Sequence, residues 1–221
     1  MAQKQFIVIG MGRFGQSVAK SLTNLGKEVL AVDNDAGLID DVAPYVTHAV
    51  QADATDEKAL AALGLKNFDV AVVTMGDNMQ ASILITLLCK EMGVDFVLAK
   101  AQNEIHAKVL RKTGADKVVF PERDMGIRVA HSLADSTVHD YVEIAGDLRI
   151  MDISVINGWI GKDLIGLNFR QKYGVNVIAI KKDNQEINTS PHGADILDKG
   201  DTLIVAGNKD SISKLESMIN K

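Results

Sequence analysis

At 221 residues the chain allows one large domain, or a medium domain with a smaller companion, against a usual size of about 150 residues. Hydrophobic residues make up 47% and charged residues 24%, the values of an ordinary globular protein, which excludes disordered and fibrous classes. A net charge of −5 argues against nucleic acid or anionic lipid as the main partner, so any phosphate site has to be local.

In chain order, strands are predicted at Gln5 to Ile9, Glu28 to Val32, His48 to Ala52, Val70 to Thr74, Phe96 to Lys100 and Lys117 to Phe120. Helical periods fall between them, at Phe14 to Leu25, Ala36 to Val42, Glu57 to Leu63, Met79 to Met92 and Glu104 to Thr113. This alternation implies right-handed crossovers and a parallel sheet covered on both faces, a Rossmann-like doubly wound α/β domain. Gly26, Gly64, Gly93 and Gly114 stand where helical patterns stop, as left-handed caps would. Asn103 and Asp124 precede helical runs as N-cap candidates, and Pro121 ends the pairing of the sixth strand.

Beyond residue 140 the rhythm changes. Strands are expected at Leu148 to Ile156, Asn176 to Lys181, Glu186 to Asn188 and Thr202 to Val205, with helices at Leu164 to Tyr173 and Ser211 to Ile219. That is a smaller α+β domain. The expected division is 1–138, a nucleotide-binding domain that includes a connector helix from Asp124 to Asp135, and 139–221.

Gly10-Met11-Gly12-Arg13-Phe14-Gly15 follows the first strand, opens a helix and precedes a second strand that ends in Asp33. Gly10 permits the tight turn, Gly12 leaves the backbone open to a pyrophosphate, and Gly15 lets helix and strand pack closely. The helix N-terminus supplies free N–H groups and partial positive charge. Asp33 suits both ribose hydroxyls and repels a 2′-phosphate, which disfavours NADP; its bland reading is a solvated strand end. Arg13 is either a surface side chain or a partner for a terminal phosphate. Asp53-Ala54-Thr55 and Met75-Gly76-Asp77-Asn78 lie at the same sheet edge, as base and ribose contacts or as ordinary helix caps.

Enzyme signatures are missing from the sequence. None of Tyr45, Tyr141 and Tyr173 has a lysine four residues on, and there is no GxSxG, GxxxxGK[ST] or HExxH motif. The five histidines show no metal-ligand spacing. The single cysteine, Cys89, excludes an internal disulfide and sits in an apolar stretch as a packing residue. That stretch, Ala81 to Cys89, is shorter than the roughly 18 residues of a membrane span. The apolar run after MAQKQF is too short for a secretory signal, so a cytoplasmic protein is expected.

The glycine loop, LAVD at Leu30 to Asp33, AKAQN at Ala99 to Asn103 and FPERDMG at Phe120 to Gly126, taken in this order, resemble the RCK (KTN) regulatory subunits of bacterial potassium uptake systems, the KtrA and TrkA group. The resemblance covers nearly the whole chain, as an RCK N-domain followed by an RCK C-domain. It implies a cytoplasmic homo-oligomeric ring, typically an octamer. Its membrane potassium-translocating partner would be KtrB-like or TrkH-like, with no role for nucleic acid. It also implies ATP or ADP in the Rossmann site, with NAD(H) in some members.

Carried onto this chain, the nucleotide set is Gly10, Met11, Gly12, Arg13, Phe14, Gly15, Asp33, Asn34, Asp53, Ala54, Met75, Gly76, Lys100 and Glu122. In this resemblance Arg13 reaches a terminal phosphate across a subunit interface. Glu122 helps hold a cation (Mg, Ca or Na); its bland reading is a first-turn helix carboxylate. Leu164, Arg170, Asn176, Val177 and Pro191 follow the order of the family's cyclic-di-AMP pocket, although Gln171-Lys172 replaces the more usual Ala-Lys. The alternative for that segment is a dimerisation domain with a surface arginine. The expected function is a nonenzymatic, nucleotide-gated regulator of potassium transport. Its rivals are an NAD(H)-dependent oxidoreductase or NADH sensor, and a freestanding oligomer that binds nucleotide for structural reasons.

Overall fold

The run Phe6-Ile7-Val8-Ile9 has no polar face. In the computed structural model, which describes residues 4–134 and 138–219, it forms β1 (Gln5–Ile9) at the centre of a parallel sheet. β2 (Glu28–Asp33) and β3 (His48–Gln51) lie on one side of it, and β4 (Val70–Val73), β5 (Phe96–Lys100) and β6 (Lys117–Val119) on the other, in the order β3-β2-β1-β4-β5-β6. All neighbours are parallel. Burial on both faces explains the uninterrupted apolar strands. Ile7 and Ile9 enter a cluster with Ile85, Leu88 and Leu110, while Val8 enters the opposite one with Ala19, Ile39 and Val42.

The helices between these strands are α1 (Arg13–Asn24), α2 (Ala36–Val42), α3 (Glu57–Ala62), α4 (Met79–Glu91) and α5 (Glu104–Lys112). Asp35, Asp56, Asn78 and Asn103 cap α2 to α5, each side chain accepting from a first-turn N–H. Gly26, Gly64, Gly93 and Gly114 adopt the positive φ expected of them. Cys89 is buried, and loss of solvation pushes its thiol up to about 12, as for a packing residue. Strand order reverses between β1 and β4, and ligands of such sheets bind outside the carboxyl ends at that reversal.

The chain divides into two compact units, Met1–Pro121 and Glu122–Lys221. The second comprises α6 (Pro121–Ala134) from its second residue on, β7 (Val138–Ala145), β8 (Leu148–Ser154), α7 (Leu164–Leu167), α8 (Phe169–Tyr173), β9 (Asn176–Lys181), β10 (Ile187–Asn188), β11 (Thr202–Asn208) and α9 (Lys209–Ile219). Its antiparallel sheet runs β10-β9-β11-β8-β7. Met151, Ile153, Leu203, Val205 and Leu215 form its core, where Trp159 meets Phe169 edge-on at 4.8 Å.

Four features differ from the sequence expectation. The connector helix starts at Pro121, not after Asp124, because proline loses nothing by lacking an N–H in a first turn; Asp124 is a first-turn residue, not the cap. That helix groups with the second compact unit, which begins at Glu122, whereas the sequence pattern puts it with the first domain. Arg128 pairs with Asp140, and His131 stacks on Tyr141 at 3.9 Å. The sequence pattern does not announce strand β7, because polar Asp140 and Glu143 interrupt its alternation, although the Gly146-Asp147 turn, with Gly146 at φ +57°, marks the hairpin. Last, Asn168 at φ 49° breaks the predicted Leu164 to Tyr173 helix into α7 and α8.

His106, on the inner face of α5, has no exposed surface, and among the described residues its Nε2 has no hydrogen-bond partner. Burial holds its pKa below the usual 6.5, so the native state excludes a proton that the unfolded chain binds. Stability is therefore complete above about pH 6.5 and declines as pH falls below it. Thermal unfolding between pH 7.5 and 5.5 is expected to show a steeper loss of Tm in the native protein than in His106→Leu.

Candidate functional site

The site starts from a steric fact. A Cβ on Gly15 would overlap the carbonyl oxygen of Gly10, so α1 can leave β1 this closely only with glycine at both positions. Gly10 sits at φ +96° and donates its N–H to the Val32 carbonyl at 2.8 Å, which turns the chain sharply at the end of β1. Gly12 is the N-cap of α1 without a side-chain cap, and a Cβ there would meet nothing within 4 Å. The first turn of α1 carries no acidic residue. Free N–H groups and the positive helix end thus face open space, the arrangement that attracts anions.

Asp33 is 8% exposed and is not a solvated strand end. One carboxylate oxygen accepts the Met11 N–H at 2.5 Å and the other the Asp35 N–H at 2.9 Å. The carboxylate braces the glycine loop while also lining the adjoining cavity. That cavity, about 150 Å³, is bounded by Gly10, Asp33, Asn34, Asp53, Ala54 and Met75 from the predicted set. Ala52, Thr55, Asn78, Ala81, Ile85 and Ile9 complete it. The Thr55 hydroxyl and N–H bond to one oxygen of Asp53, at 2.7 and 2.9 Å, and hold its carboxyl below the usual carboxylate range.

Other predicted residues stand elsewhere. The Met11 side chain is fully buried in the core, so only its backbone belongs to the loop. Arg13 is exposed on the first turn of α1, and Phe14 beside it is half-buried. Gly76 neighbours Lys100, whose Nζ would lie 3.1 Å from a Cβ there, and the Gly76 carbonyl accepts from the Gln102 side chain. Glu122 is exposed in the first turn of α6, in the second unit. Among the described residues no group of three or more His, Cys, Asp or Glu is placed to hold a metal. Ala81 and Ile85 escaped sequence reading because α4 carries apolar residues all round, so its pattern does not distinguish core from cavity wall.

In the second unit Leu164 opens α7, and the Ile165 N–H donates to the Gly193 carbonyl at 2.9 Å, which brings α7 against the loop that follows Pro191. Arg170 is exposed on α8, and Asn176 and Val177 begin β9, exposed and half-buried respectively.

Comparison with known proteins adds to this geometry. Residues 6–121 match the TrkA-N domain and residues 150–220 the TrkA-C domain. Ktr system potassium uptake protein C of Bacillus subtilis (strain 168) is 44% identical over 217 residues, covering 98% of each chain. Ktr system potassium uptake protein A of Vibrio alginolyticus is 39% identical over 216 residues, covering 97% of this chain and 98% of the relative. Among solved structures, the GsuK channel bound to NAD shares the fold, with TM-score 0.70 and 18% identity over 100% of this chain and 40% of that one.

Removing the Asp33 acceptor leaves the Met11 and Asp35 N–H groups unsatisfied near the core. Asp33→Ala is therefore expected to destabilise the nucleotide-free protein by about 1–3 kcal/mol, read as a lower urea midpoint, with Asp33→Asn intermediate because one acceptor oxygen survives.

Proposed function

This chain belongs to the TrkA-N/TrkA-C family of potassium-uptake proteins, and on that premise we propose that it is the nucleotide-sensing regulatory subunit of a Ktr-type transporter. One observation carries the reading: an open, acid-free α1 N-terminus beside a cavity walled by Asp33 and Asp53. The cavity takes the adenine and ribose of ATP or ADP, and the phosphates run over Gly12 to the helix end. A cavity of about 150 Å³ is smaller than the usual ligand pocket of about 300 Å³ or more, as suits a site whose phosphate end is open.

Binding acts on an assembly instead of driving a reaction. The protein forms a cytoplasmic ring, an octamer, that docks on a KtrB-like or TrkH-like membrane subunit and controls its conductance. Among the described residues no helix is long and apolar enough to cross a membrane, which fits attachment through that partner. The Arg13 guanidinium, exposed at the loop, reaches the γ-phosphate in a neighbouring subunit and pairs with it bidentately. Glu122 contributes to a cation held with the phosphates. If ATP favours one ring shape over another a hundredfold, about 2.7 kcal/mol, the population ratio shifts by the same factor.

A second ligand, cyclic-di-AMP, is supported by the exposed Arg170 and by the seating of the Pro191 loop against α7. A guanidinium and the Asn176 amide meet phosphates there, with Leu164, Val177 and Pro191 as apolar walls for purines.

Titration calorimetry is expected to show Arg13→Ala weakening ATP more than ADP; equal weakening removes the γ-phosphate role. A thermal-shift panel of ATP, ADP, NAD and NADH separates this reading from an NAD(H)-linked one, since ligand at about 100 times its Kd stabilises by roughly 2.7 kcal/mol. Cyclic-di-AMP titrated into the full chain should bind and lose affinity in Arg170→Ala; no heat at high micromolar ligand discards the second site.

A further inference from the structure

We propose that Thr74 is a positioning residue for the phosphate loop, setting the shape of Gly10 to Gly15 from the neighbouring strand without touching the ligand; this rests on the nucleotide-site reading above. Thr74 follows the apolar strand β4 and is only 6% exposed, so its hydroxyl needs a partner. Its backbone N–H donates to the Ile9 carbonyl at 2.9 Å, carrying the β1–β4 ladder one step past β4. Its Oγ1 lies 2.6 Å from the Gly10 carbonyl oxygen and 3.1 Å from that of Ile9. A hydroxyl has one proton to give, and the shorter contact assigns it to Gly10.

Gly10 is thereby held from both sides, its N–H by Val32 of β2 and its carbonyl by Thr74. The same oxygen occupies the room that the glycines leave: a Cβ on Gly10 would come within 2.9 Å of it, and one on Gly15 within 2.6 Å. Gly10, Gly15 and Thr74 form one knot, and the hydroxyl is its centre. Gly10 lines the cavity whereas Thr74 is absent from its walls, so any influence on a ligand passes through the loop. Valine matches threonine in shape but sets a methyl group against the Gly10 carbonyl. That carbonyl must then turn to find another donor, and the loop N–H groups ahead of it lose their common aim. Serine keeps the hydroxyl.

The test measures adenosine and ADP affinities of the full chain by calorimetry for native protein, Thr74→Val and Thr74→Ser. Amide hydrogen exchange across residues 10–15 is followed without ligand. Thr74→Val is expected to weaken ADP about fivefold to tenfold, the effect of one net hydrogen bond. Adenosine, lacking phosphates, should change less than about twofold, and Thr74→Ser should hold ADP within about twofold of native. Loop exchange should rise in Thr74→Val and not in Thr74→Ser. Equal losses of adenosine and ADP, a serine variant as weak as the valine variant, or unchanged loop exchange in Thr74→Val each overturn the proposal. If native protein takes up neither ligand, the nucleotide-site reading fails, and loop exchange alone then decides the role of Thr74.

Discussion

The first helix leaves the central strand at a separation that admits no side chain, and the geometry of the site follows from that constraint. With the Gly10 carbonyl standing where a Cβ of residue 15 would be, α1 is pressed onto the carboxyl end of β1, and its N-terminus opens at the place where strand order reverses. A larger residue at position 15 would lift the helix and carry its free N–H groups away from Asp33 and the cavity. Close packing and the placing of the helix end are one requirement here, because the loop that turns out of β1 is also the backbone that the helix approaches.

Charge is arranged to match. The first turn of α1 is free of carboxylates, so nothing within that turn offsets the positive end of its dipole. The nearest acid of the loop, Asp33, spends both oxygens on backbone N–H groups and so joins the end of β2 to the loop after β1. Those bonds leave further lone pairs on each oxygen, which allows a carboxylate to brace the loop and still face the cavity. Asp53 is held through one oxygen only, which accepts both the hydroxyl and the N–H of Thr55. Both acids are orientated by bonds within the first unit itself.

The second unit has a different logic. Its antiparallel sheet holds a buried arginine, Arg149, satisfied by the Tyr141 hydroxyl at 3.0 Å, by Glu143 at 2.9 Å and by backbone carbonyls. Its connector helix is tied in through Arg128 and His131, with no buried residue of its own. Exposed Met125, Val129 and Leu133 recur at helical spacing along α6, an apolar stripe left on the surface of this unit.

Features under local control are legible in the order of the residues. Apolar runs bounded by glycines located β1 to β6 within a residue or so, Asn103 announced its cap, and the spacing of Gly10, Gly12 and Gly15 after a strand named the loop. Such signals are written in neighbouring residues, because strand, turn and cap preferences arise within a few peptide units. The folded contacts supply the rest: that Asp33 braces Met11, that Ala81 and Ile85 wall the cavity, that the connector helix joins the second unit, and that a threonine just past β4 stands beneath two glycines. Each of these joins residues far apart in the chain. Their meeting is set by sheet order and crossover packing, which no short stretch of sequence encodes.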